Sequence, residues 1–98
     1  MARQSHIEAF LQYIKESFSE PAATITHGHV AVDHRYDVIV SAGGVEMIVS
    51  VSDEFLSQRH PSDIRASLER WGVAQKARET RGADRLLITP DGVSAVKR

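Results

Sequence analysis

Gly43-Gly44 separates two runs, Tyr36–Ala42 and Val45–Val51, that are rich in Val and Ile. A glycine pair accepts the positive φ angles that a two-residue hairpin turn demands, so the runs read as antiparallel strands. The turn also sets the register. Counting outward, Val40 meets Met47, Val38 meets Val49 and Tyr36 meets Val51, which makes one face wholly apolar and in need of a cover. The other face holds Asp37, Ile39, Ser41, Glu46, Ile48 and Ser50. There Ile39 and Ile48 form a cross-strand apolar pair in a polar surround, a candidate protein contact.

Helices on both sides of the hairpin supply the cover. Ser5 and Glu8 have the spacing of a capping box, which predicts a helix start, and Ile7, Phe10, Leu11, Ile14 and Phe18 follow on one stripe until Pro21 ends the run. Thr24–Val32 reads as a further strand, and Asp53–Leu56 as a short helical turn with acidic residues at its positive end. Pro61 suits a first helical position, and Ile64, Leu68, Trp71 and Gln75 mark one stripe beyond it, flanked by Ala74 and Ala77. Gly72 either sits inside this helix at a cost of about 1 kcal/mol or ends it and lets Val73 begin another. Arg85–Thr89 and Val93–Lys97 flank Pro90-Asp91-Gly92, a turn signal that closes a second hairpin.

The expected fold is α+β: a two-layer sandwich in which one antiparallel sheet carries its helices on one face, in the order α-β-β-β-α-β-β. Small partner-binding proteins such as type III secretion chaperones have a similar order of elements, a likeness of architecture without a shared motif. With 98 residues and 42% hydrophobic content, residues 1–98 are expected to form a single domain with one core. No cysteine is present, so a disulfide framework, a thiolate metal site and a catalytic thiol are all excluded. The first residues run into Glu8, Lys15 and Glu16 without the apolar stretch of a signal peptide, and no segment has the length and apolarity of a membrane span. A cytoplasmic protein with no membrane partner is expected. A domain this small gains from association with itself or another protein.

The formal net charge of −1 hides a division. Arg3, Lys15 and Arg35 face eight acidic residues in 1–56, whereas nine basic residues oppose Asp63, Glu69, Glu79, Asp84 and Asp91 in the remainder. Such asymmetry marks either a nucleic-acid face or two halves that attract each other. The nucleic-acid reading rests on Arg65, Arg70, Lys76, Arg78, Arg81 and Arg85, interrupted by Glu69 and Glu79. In its sharper form, Ile64–Arg81 is a helix-turn-helix with Gly72-Val73 at the turn and Asp91-Gly92 at the tip of a wing, but no large apolar residue follows the valine at the needed spacing.

His27, His29 and His34, with Asp33 and Asp37 nearby, form a cluster. Histidines two apart on a strand share a side, so His27 and His29 are candidate metal ligands with Asp33 or His34 completing the shell, or acid–base groups paired with Asp33 or Asp37. No Gly-x-Ser-x-Gly elbow and no phosphate-binding loop occur, and no cofactor is expected. Trp71 reads as an anchor of the second helix, or, if exposed beside Arg70, as an interface hot spot. The leading expectation is a non-enzymatic module that binds a protein partner or a second copy of itself through Ile39, Ile48 or Trp71, with DNA or RNA binding as the alternative and a histidine metal site third.

Overall fold

The turn between the two valine-rich runs is present as expected: Gly43 and Gly44 have φ of 60° and 78°, and Val40, Val38 and Tyr36 pair with Met47, Val49 and Val51. The computed structural model describes residues 4–97. Their elements are α1 Gln4–Ser17, β1 Thr24–Val30, a 3₁₀ turn Ala31–Asp33, β2 Arg35–Ala42, β3 Val45–Ser52, α2 Asp53–Ser57, α3 Pro61–Arg70, α4 Val73–Thr80, β4 Asp84–Thr89 and β5 Gly92–Lys97. The strands make a five-stranded sheet in the order β1-β2-β3-β4-β5.

The sheet is mixed, which corrects the expectation of an all-antiparallel one. β3 and β4 run parallel, with Val49, Ser50 and Val51 beside Leu86, Leu87 and Ile88. The reason is the connection: α2, α3 and α4 together carry the chain back along the sheet, so β4 starts at the end where β3 started. The capping box is also corrected. Gln4 is already helical and its side chain lies 3.5 Å from Glu8, so Ser5 sits inside the first turn and does not cap it. β1 stops at Val30, two residues early, where the chain enters the 3₁₀ turn.

Phe10 and Ile14 of α1, Phe55 and Leu56 of α2, Ile64 and Leu68 of α3 and Val73 of α4 join Val38, Val40, Val49, Val51 and Ile88 in one core of fully buried side chains. The helices therefore lie over the face that the hairpin register marks as apolar. Trp71-Gly72 interrupts the second helix, with Gly72 at φ 61° in the left-handed region that glycine tolerates. Breaking a helix strands backbone groups at both new ends. Tyr13 answers both: its hydroxyl accepts from the Ala74 amide at 3.1 Å and donates to the Leu68 carbonyl at 3.4 Å.

The division of charge is also accounted for by internal pairing. Arg65 donates to both carboxylate oxygens of Glu16 at 2.8 Å and to Glu69 at 2.9 Å. Arg78 donates to Glu20 at 2.6 Å and to the Ser17 carbonyl at 2.8 Å, with its guanidinium over the Phe18 ring. Basic groups of α3 and α4 thus hold acidic groups of α1 and the segment after it. No helix among the described residues is long and apolar enough to cross a membrane.

Candidate binding face of the sheet

No helix among the described residues covers the second face of the sheet, and the registers lay out its side chains in rows. One row runs Thr26, Ile39, Ile48; the next runs Gly28, Asp37, Ser50, Leu87, Ser94. Continuing the parallel register by one residue sets Arg85 beside Ile48, and Arg85 in turn pairs with Val96 of β5. Ile39, Ile48 and Leu87 are each partly exposed, so three neighbouring strands contribute one apolar residue each to the middle of this face.

Polar groups around that centre are fixed. Ser50 is fully buried and donates to Asp37 at 2.6 Å, as a buried hydroxyl must. Arg35 donates to the same Asp37 oxygen at 3.0 Å and pairs with Asp33 at 3.0 Å. Arg85 is different: its Nε is buried and has no hydrogen-bond partner among the described residues. An unanswered N–H of this kind carries a desolvation cost that an incoming acceptor would relieve.

The histidines divide. His27 and His29 do share a side of β1, on either side of Tyr36, with ring centroids 5.7 and 6.4 Å from it. Their polar partners differ from those expected. His27 Nδ1 lies 2.6 Å from the Tyr36 hydroxyl and His29 Nε2 lies 2.8 Å from Asp53, while Asp33 and Asp37 are occupied by Arg35. His34, in a left-handed turn at φ 51°, is exposed and joins neither. Among the described residues no three His, Asp or Glu side chains are grouped to hold a metal ion. Burial raises the Tyr36 hydroxyl above its ordinary pKa, keeping it a neutral hydrogen-bonding group.

The basic residues are dispersed. Arg65 faces α1, Lys76 borders the space between α4 and β5, Arg78 and Arg81 stand over Ala42, Val45 and Met47 at the hairpin, Arg70 is exposed at the end of α3, and Arg85 is on the open face. Trp71 does not join Ile39 and Ile48. It is half-buried against Phe55, ring centroids 5.6 Å apart, with the Arg59 guanidinium over both rings.

Leu87 and the placement of Arg85 were missed from sequence because both depend on the parallel joint. The hairpin pattern marks Tyr36 as inward core and Asp53 as a helix start, and the β1–β2 register brings the histidines to them. No protein-family model, curated protein or solved structure matches the chain.

Proposed function

We propose that this chain is a cytoplasmic, non-enzymatic two-layer α+β module that binds another protein across the open face of its sheet. The observation that carries this reading is the apolar centre Ile39, Ile48 and Leu87 beside an Arg85 Nε with no hydrogen-bond partner among the described residues. Together they suit a partner segment that offers apolar side chains next to a carboxylate or carbonyl acceptor. The pairing of Arg65 with Glu16 and of Arg78 with Glu20 weighs against the nucleic-acid alternative, since two of its cations are already engaged.

The test is affinity capture from the organism's own lysate, comparing the wild type with Ile39→Asp/Ile48→Asp and with Val32→Asp. Val32 is 84% exposed, away from the sheet centre, and serves as the control. The expected result is a protein retained by the wild type and by Val32→Asp, and lost from the double variant while its circular dichroism is unchanged. Identical capture by all three would overturn the reading. So would salt-sensitive binding of mixed-sequence DNA that survives the isoleucine changes, which would turn attention to the arginines.

A further inference from the structure

Among the described residues β5 is an edge strand, hydrogen-bonded to β4 alone. Natural edges are guarded by prolines, bulges or inward charges, because an open row of N–H and C=O groups invites another strand. β5 carries no proline and no bulge: it pairs with β4 without interruption from Gly92 to Lys97, and its one charged residue, Lys97, stands at the very end. The helix layer also stops short of it. A groove of about 350 Å³ opens between β5 and α4, with Leu86 of β4, Val93 and Ala95 on one side and Lys76, Glu79 and Thr80 on the other.

We infer that β5 pairs antiparallel with β5 of a second copy, about a twofold axis through Ser94. A twofold perpendicular to the sheet keeps like faces together, so facing residues must share a face and only alternate registers are allowed. In the register through Ser94, Val93 faces the partner's Ala95, Gly92 faces the partner's Val96, and Asp91, in the turn just before β5, comes next to the partner's Lys97, twice over. The small apolar residues then run on from groove to groove, and both ends close on opposite charges. Registers through Val93 or Ala95 lose this match: the first sets Asp91 against the partner's Ala95, the second sets Lys97 against the partner's Val93. Asp91 and Lys97 are exposed and make no ion pair among the described residues, so both are available. The product is one continuous sheet of two copies with both open faces on the same side.

Sedimentation equilibrium of the full chain tests this with charge reversal. Lys97→Asp and Asp91→Lys each replace two attractive contacts with two repulsive ones, and each is expected to weaken the dimer by about tenfold or more. The double variant Lys97→Asp/Asp91→Lys restores the pairs and should return within about threefold of the wild type. A wild type that stays monomeric up to its solubility limit would overturn the inference. So would a dimer indifferent to both single reversals, or a double variant as weak as either single one. Ile39→Asp/Ile48→Asp should dimerise like the wild type, so failure of the edge pairing and failure of the partner-binding reading are separately visible.

Discussion

Ile88 and Ile39 belong to one sheet, yet Ile88 is fully enclosed beneath the helices while Ile39 lies partly exposed on the other side. The covered face is apolar throughout its central strands; the open face mixes isoleucine and leucine with a bonded Asp37–Ser50–Arg35 group. Residue type alone does not separate the two. What separates them is the side on which the helices pack, with residues of α1, α2, α3 and α4 all joining the core over the covered face. An apolar residue on the uncovered side, such as Ile39, removes less of its surface from water than Ile88 does.

The same substitution on the two faces exposes the contrast most sharply. Ile88→Ala should cost about 2–5 kcal/mol in chemical denaturation, through lost burial and a cavity. Ile39→Ala should stay below about 1 kcal/mol, because its site is already partly solvated; equal losses would mean that both faces are core.

The helix layer has its own weak joint. Tyr13→Phe removes the hydroxyl that reaches both ends of the helix break, and the stranded Ala74 amide and Leu68 carbonyl should lower stability by about 1–3 kcal/mol. On the open side, Ser50→Ala removes a hydrogen bond whose acceptor Asp37 keeps Arg35, so a loss of about 1 kcal/mol is expected.

The smallest effect is one of pH. Hydrogen bonds from Arg65, then Gln12, pull the Glu16 carboxyl from 4.5 down to about 2. A depressed carboxylate stabilises the fold fully above its unfolded value and loses that contribution as pH falls from about 4.5 towards 2. Solvent screens this exposed pair, so the contribution is modest. Thermal melts between pH 5 and pH 2 should show a shallower decline for Glu16→Gln than for the wild type.

Much of this architecture is legible in the residues because it is local. Gly43-Gly44 dictates the central register, Pro90-Asp91-Gly92 the second hairpin, and the stripe behind Ile7 the first helix. The Ile39–Ile48 pairing follows from the same counting. What was not legible needs contacts between distant segments: the parallel β3–β4 joint that brings Leu87 and Arg85 to the open face, and the register of β1, hidden by the turn at Ala31–His34, that directs His27 to Tyr36 and His29 to Asp53. Charge was legible in amount but not in use, since only the packing of α3 and α4 on α1 shows Arg65 and Arg78 engaged.

The parallel joint also carries the largest loop-closure cost between neighbouring strands of the sheet. β1, β2 and β3 follow one another through short turns, and each pairs with a strand already adjacent in sequence. β4 reaches β3 across a connection that holds three helices, a large loop whose closure must be offset by the contacts it brings. Pairing of Val49 with Leu86 thus closes the longest loop between neighbouring strands, and without β4, which begins only at Asp84, β3 would present an open edge.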